Sequence, residues 1–551
     1  MTTRTTQAAD TAHETEVLVA GGGLTGLSAA VFLAWHGVAV TVVERHPGTL
    51  VHPRARSINP RTAELLRQVG LDDVVGRADG YESQLPSVHM LRAETLAGPE
   101  TSRVEQRPPA GARDGQRVSP ASWGMIDQDR LEGVLRAHAE HLGATVRFGH
   151  ELVSLDEDAT GVRARVRDGD GRPYELRASY AIGADGHASR VREAAGIPLH
   201  GPGALSHIVS MVFDADLTGP LRGRHDPGQG AFIASCHLST PAEGTVLFPH
   251  GRPHRWVFNT PMFPERGDTL GDFDDARCTG IIRAAIGVPG LPVTLVPQLP
   301  DGTKVLAYRI GAAVAGSFRS GRIFLAGDAA HVMPPTGAFG AGTGIQDAHN
   351  LAWKLAAVLR GRAGQDLLET YDTERRPVAD FTLGQALLLM HQRGALPIPL
   401  PSGHRPAEYD AVVFGHRYRS SAVVADEGDD EDTGAVPPAL LRGQPGTRAP
   451  HVPVPGSAPA SSLDWFGRGF ALLVPDGDGA WAAAARTLGD RDLLVHVLGE
   501  EGAELHGVSG SGAVLVRPDG FVAWRCHGSS EEPAQVLAGV LDRVGCRAPS
   551  M

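Results

Sequence analysis

The six residues Gly21-Gly22-Gly23-Leu24-Thr25-Gly26 constrain this chain most. They follow the apolar run Val17-Leu18-Val19-Ala20 and open an Ala- and Leu-rich stretch of helical spacing, 24–35. A β-branched run, 38–43, comes next. The order strand, glycine turn, helix, strand predicts a βαβ unit and a parallel sheet. Gly21 permits the tight turn, Gly23 lets the backbone approach a pyrophosphate, and Gly26 lets helix and strand pack closely. Leu24 and Thr25 open the helix, whose free N–H groups and positive dipole end favour phosphate. Glu44 closes the second strand, where a carboxylate accepts hydrogen bonds from a ribose. The unit reads as a dinucleotide site and leaves the choice of dinucleotide open.

The chain around it has 551 residues, more than one core usually supports, so two or three domains are expected. Its 42% apolar and 21% charged residues suit a folded, water-soluble protein. The net charge of -12, with no long Arg or Lys run, argues against a nucleic-acid partner. Cys236, Cys278, Cys526 and Cys546 form no CxxC pair, so neither a zinc ribbon nor a dithiol site is expected. His138 and His141 share a helical face but lack a third ligand, and no metal site is expected. Residues 1–15 read as a disordered leader without the apolar core of a signal peptide. No stretch approaches the roughly 20 apolar residues that span a bilayer. A cytoplasmic protein, monomer or homodimer, is expected.

Residues 204–262 change character. Short segments with a period near two, separated by Gly, Pro and Asp, predict an antiparallel sheet and a separate lobe. Helical spacing returns over 344–361 and 367–392. An acidic run, 426–432, reads as a solvated loop, and 444–551 leave room for a small α/β domain. The expected division is 16–195 and 306–395 for the nucleotide-binding domain, 196–305 for the lobe, and 396–551 for a linker and C-terminal domain.

Two further signals lie on strand ends. Gly183-Ala184-Asp185-Gly186 follows one apolar run, with Ser189 and Arg192 close behind. Gly327-Asp328-Ala329-Ala330-His331 follows another, 323–326, and Asp328 is placed to hold a ribityl hydroxyl. The stretch from Pro335 through Gly340, Ala341, Gly342 and Thr343 then runs into a helix. Its small residues let a loop lie against a flat ring, and the helix N-terminus stabilises negative charge there.

With these three motifs in this order, the chain resembles the FAD-dependent aromatic hydroxylases, the single-component monooxygenases typified by p-hydroxybenzoate and phenol hydroxylase. Four local segments carry the resemblance further: Arg54 to Glu64, Gln128 to Glu132, Asp347 to Leu355, and Tyr371 to Pro377. Residues 445–451 and 514–520 resemble the C-terminal thioredoxin-like domain of the polyketide-tailoring branch, and 205–217 resemble its anthracycline hydroxylases. In one departure, Gly342 stands where the family often has an Asn beside the flavin, so backbone N–H groups must do more there.

The resemblance implies an α/β protein: a Rossmann-like FAD-binding domain, an antiparallel substrate lobe and a thioredoxin-like C-terminal domain. It implies FAD as cofactor, NADPH or NADH as transient reductant, and O2 as co-substrate. Through a flavin C4a-hydroperoxide, one oxygen would pass to a phenolic, polycyclic aromatic polyketide. Arg54 and Gln128 match positions that contact FAD, and Arg45 is expected near the adenosine ribose or phosphate. Asp185 and Arg192 are expected to help a transient nicotinamide. Phe232, Phe258 and Phe339 are candidates to line an aromatic pocket. No residue is assigned as catalytic base; His207, His237, His250, His254 and Tyr308 lie in or near the lobe. Two other readings remain: a Baeyer–Villiger or epoxidising monooxygenase, and a non-oxygenating flavoprotein that steers a reactive intermediate. A flavin-dependent halogenase is not expected, because the chain has no WxWxIP stretch.

Overall fold

The computed structural model describes residues 13–50, 55, 57–73, 87–106, 112–113, 116–124, 126–225, 231–250, 252–392, 405–429, 435–454, 461–489 and 493–547. Arg54, the side chain of Phe232, most of the expected leader and the end of the acidic run lie outside the described residues.

The glycine turn sits where its sequence context places it. His13–Ala20 runs parallel between Val40–Glu44 and Pro173–Gly183. Pro173–Gly183 in turn pairs parallel with Ile323–Leu325, and Thr145–Phe148 lies beyond Val40–Glu44. The register aligns the carboxyl ends: Ala20 faces Val43 and Gly183, and Gly183 faces Leu325. Turns read far apart in sequence therefore emerge at one edge of one sheet. Helix Leu24–Trp35 is buried almost all round, which suits its apolar character on every face. Its Leu27, Ala30 and Phe32 share the main core with Ile345, Leu351 and Leu355 of helix Gly340–Leu359.

The lobe is a nine-stranded sheet whose central strands, Leu199–Asp214, Arg255–Met262 and Thr245–Pro249, pair antiparallel. The lobe's sheet also takes in strands outside 196–305. Ser87–Ala93 and Glu100–Gln106 form one edge, and His331–Val332, just after Asp328, pairs with Val305–Ala315 at the other. The chain thus passes between the two bodies repeatedly. Side chains alternate between the two faces of the sheet. Met211, Phe258, Leu247 and Cys236 form one row across it, each at most 1% exposed. Helix Asp275–Ile286 covers that face with Cys278, Ile282 and Ile286.

The C-terminal body has a four-stranded mixed sheet built from Phe470–Val474, Leu493–Val497, Ala513–Val516 and Val522–Cys526. Helices Ala480–Thr487 and Pro533–Val544 pack on one side of it. No helix among the described residues is long and apolar enough to cross a membrane.

Candidate active site

The edge where the three turns converge is a cleft with a defined geometry. Gly21 has φ +106°, a conformation that glycine adopts without strain. A Cβ on Gly26 would collide with the Gly21 carbonyl. A Cβ on Gly23, by contrast, would meet nothing nearer than Glu132 Oε1 at 3.9 Å, so this backbone is open to a pyrophosphate. Glu44 accepts from Gly22 N at 2.7 Å and from His46 N at 2.8 Å. The carboxylate therefore also braces the glycine turn.

Arg45 is exposed beside it. The Gln128 amide is engaged within the protein: it donates to Glu132 Oε1 at 2.9 Å and accepts from Ala55 N at 3.2 Å. Glu132 also accepts from Leu50 N at 2.8 Å. Gln128 and Glu132 thus hold Ala55 and Leu50 by their backbone N–H groups, with Glu132 Oε1 beside Gly23. Glu132 is a residue that sequence reasoning left without a role.

Asp185 ends the second turn, where burial pushes its carboxyl above the usual value against hydrogen bonds from Ser189 Oγ and Val191 N. Arg192 is buried, and its guanidinium donates to the carbonyls of Ala329 and His187 at 3.0 Å each. It ties the second turn to the third instead of presenting a free cation. Asp328 is exposed between buried Gly327 and Ala329, and its carboxylate takes no hydrogen bond among the described residues. Thr25 sits at the meeting point of first turn and third: a Cβ on Gly344 would lie 2.5 Å from its Oγ1.

Pro335 is exposed, Gly340 and Ala341 are half-buried, and Gly342 and Thr343 are buried. Thr343 Oγ1 donates to Phe339 O at 2.9 Å. Behind this loop, fully buried Asp347 accepts from Gly327 N at 3.1 Å, His331 Nε2 at 2.6 Å and Arg375 Nε at 2.8 Å. Burial opposes ionisation of Asp347, but His331 and Arg375 prevail and hold its carboxyl below the usual range. Arg375 continues to Tyr418 OH at 3.0 Å. An open backbone at Gly23, the braced carboxylate of Glu44 and Asp328, unpaired among the described residues, lie on one edge and fit an FAD molecule.

Above the cleft stands the lobe's second face. Ile310 packs against the main core, whereas Val305, an odd number of residues along the same strand, packs against the lobe core. The face bearing Ile310 therefore turns toward the FAD side. Register places Leu306, Ser210, Asn259, Val246 and His237 in one row across that face. Ser210 Oγ and Asn259 Oδ1 are buried without a hydrogen-bond partner. Ile208 and Tyr308 lie in the next row. Phe258 is on the opposite face, in the lobe core, so it does not line this one. Phe339 is 3% exposed and stacks on Tyr409 with ring centroids 5.3 Å apart, behind the loop. Of the candidate bases, His237 shares the row of Asn259, while His207 points to the other side.

Comparison with known proteins agrees with this geometry. Residues 14–386 match the FAD binding domain family, which makes the chain a flavoprotein of that class. Residues 442–548 match the family described as aromatic-ring hydroxylase, C-terminal. The chain is 40% identical to the aklavinone 12-hydroxylase of Streptomyces purpurascens, over 97% of this chain and 99% of that one. It is also 40% identical to the tetracenomycin B2 monooxygenase-dioxygenase of Streptomyces olivaceus, again over 97% and 99%. The structure of aklavinone-11 hydroxylase in a ternary complex with FAD and aklavinone superposes with a TM-score of 0.87 at 39% identity, covering 97% of this chain and 99% of that one. The chain belongs to the FAD-dependent aromatic-ring hydroxylases.

Proposed function

We propose that this enzyme hydroxylates a polycyclic aromatic polyketide carrying phenolic oxygens, with NADPH or NADH as reductant and O2 as oxygen donor. Full-length similarity to hydroxylases of aklavinone and tetracenomycin supports the substrate class. The carrying observation is the pairing of an FAD-shaped edge with a lobe face that bears both apolar side chains and unpartnered polar atoms, Ser210 Oγ and Asn259 Oδ1.

Bound FAD supplies reduction by a nicotinamide cofactor and activation of O2. In this reading Gly21, Gly23 and Gly26 receive the pyrophosphate, with Leu24 and Thr25 at the helix N-terminus. Glu44 and Arg45 hold the adenosine ribose, and Asp328 holds the ribityl chain. Pro335, Gly340, Ala341, Gly342 and Thr343 border the ring. Gln128 acts through its hold on Ala55 N and Glu132, and Asp185 through the turn that Arg192 locks to Ala329. Ile208 and Tyr308 flank the aromatic substrate and exclude water from the reacting carbon.

The test is incubation of the FAD-loaded enzyme with NADPH or NADH, O2 and a panel that includes aklavinone and tetracenomycin-type rings, followed by product mass. A product one oxygen heavier, with the carbon skeleton retained, is the expected result. A lactone from ring expansion would move the reading to Baeyer–Villiger chemistry. Reductant consumed only to peroxide, with every ring unchanged, would remove the substrate class.

A further inference from the structure

Helix Pro60–Gln68 begins beside the flavin loop, and Asn59 is its N-cap. Asn59 Oδ1 accepts from Thr62 N and from Thr62 Oγ1, both at 2.9 Å. The backbone donor fixes which end of the amide is oxygen. The NH2 end therefore points away from the cap. It takes no hydrogen bond among the described residues, although Asn59 is 4% exposed. An NH2 group on so buried a residue, which no group of the described residues engages, is open to an acceptor that a ligand brings.

The NH2 end lies over Gly342. A Cβ at that glycine would stand 2.7 Å from Asn59 Nδ2 and 3.0 Å from Thr62 Oγ1. Gly342 is the third residue of helix Gly340–Leu359, whose first turn offers unsatisfied N–H groups at the flavin loop. The missing side chain at 342 is thus not empty space: the amide of Asn59 occupies the position that a residue-342 side chain would need.

We propose that Asn59 is a flavin-positioning residue whose Nδ2 donates to a carbonyl oxygen of the FAD ring system, alongside the N–H groups of the helix that begins at Gly340. Gly342 is glycine because this amide must pass over it. The two residues form one unit, and the amide that the loop lacks at 342 arrives from another helix. The inference concerns the cofactor alone and does not depend on which ring is hydroxylated.

The cap and the amide are separable by substitution. Asn59→Ser keeps an N-cap oxygen and removes the donor. Its FAD-free melting temperature should match the parent, while FAD, titrated by its own fluorescence, should bind roughly threefold to tenfold more weakly, the range for one net hydrogen bond. The bound flavin's absorption band should also shift. Gly342→Asn alone should weaken FAD through the collision with Asn59. The exchange Asn59→Gly with Gly342→Asn should recover affinity relative to Asn59→Gly alone and to Gly342→Asn alone. Parent-like FAD affinity and spectrum in Asn59→Ser would overturn the proposal. So would a loss of FAD that merely tracks a lowered melting temperature, or an exchange variant whose defect equals the sum of the singles. A parent protein that binds no FAD would instead overturn the cofactor assignment itself.

Discussion

The cleft edge and the seam that docks the C-terminal body share helix Gly340–Leu359 but treat polar groups in opposite ways. At the cleft, Asp328 is exposed and unpaired among the described residues, and Gly23 faces open space. At the seam, Arg517 donates to Glu374 at 2.6 and 2.8 Å and to Asp519 Oδ1 at 3.1 Å, with all three side chains buried. Lys354 Nζ reaches Glu374 at 2.7 Å, and Asn350 and Trp353 bond Asp519 at 3.1 and 3.2 Å. Arg61 reaches Asp519 O at 3.1 Å, and Arg448 pairs with Glu64. The seam has spent its charges on itself; at the cleft the carboxylate of Asp328 is left to solvent. That difference separates a polar cluster that fixes geometry from one that stays open to a ligand.

The largest effect should come from the seam. Arg517→Met takes the paired cation from buried Asp519 and one of two cations from buried Glu374, and should cost about 3–5 kcal/mol of stability, the range for breaking one side of a buried ion pair. Urea unfolding of the FAD-loaded enzyme measures it. Replacing Arg517, Glu374, Lys354 and Asp519 together with apolar residues should cost less than the single change. A mild Arg517→Met phenotype would show that water relieves the stranded charges, and the contrast with the cleft would dissolve.

The cleft should behave in reverse. Asp328→Ala should weaken FAD by about tenfold to hundredfold, the value of a hydrogen bond to a charged group, and leave FAD-free stability unchanged or slightly higher. Flavin fluorescence titration and a melting curve of the FAD-free protein separate the two quantities. A drop in FAD-free stability would mean that Asp328 is part of the scaffold.

Acid should also find the seam first. Glu64, Glu374 and Asp519 of the seam, with Asp347 behind the flavin loop, are all buried; burial raises each pKa, but the neighbouring cations more than offset it and hold all four below their usual values. Carboxyls depressed in the folded state stabilise above their unfolded pKa of about 4, and that stability is lost as pH falls through the folded values. The stability curve should therefore drop below about pH 4, and more shallowly in Arg517→Met, where Asp519 has lost its paired cation and Glu374 one of its two. Parallel acid limbs would break this link.

The two regions were not equally legible in the sequence. The glycine turn was, because it is local: spacing within six residues specifies backbone approach and helix start. The position of Asp328, just past an apolar strand, was legible for the same reason. The seam was hidden, since Arg517 and Glu374 lie 143 positions apart and each alone reads as a surface charge. Strand Glu100–Gln106 was missed because ETSRVEQ carries a single apolar residue; as an edge strand it needs no more. Gly342 was read as the loss of a side-chain contact, whereas Asn59, from another helix, fills the space. Phe258 was placed in the pocket because aromatic character does not say which face of a strand a residue takes.

The smallest effect tests whether the under-satisfied side extends behind the flavin loop. Asp410 lies in helix Tyr409–Phe414, next to the Tyr409 that stacks on Phe339, and its Oδ1 is buried without a partner. Burial, with a smaller contribution from Glu408, pushes its carboxyl up to about 6. A carboxyl raised in the folded state stabilises below its unfolded pKa of about 4, and this contribution is lost as pH rises through about 6. Asp410→Asn stays neutral, so it should match the parent near pH 4 and exceed it near pH 7.5. Because the side chain is partly solvated, the gain should be only on the order of 1 kcal/mol. Urea midpoints at the two pH values decide it. If Asp410→Asn loses stability at both, the carboxylate has a cation partner after all, and saturated pairing reaches from the seam to the back of the loop.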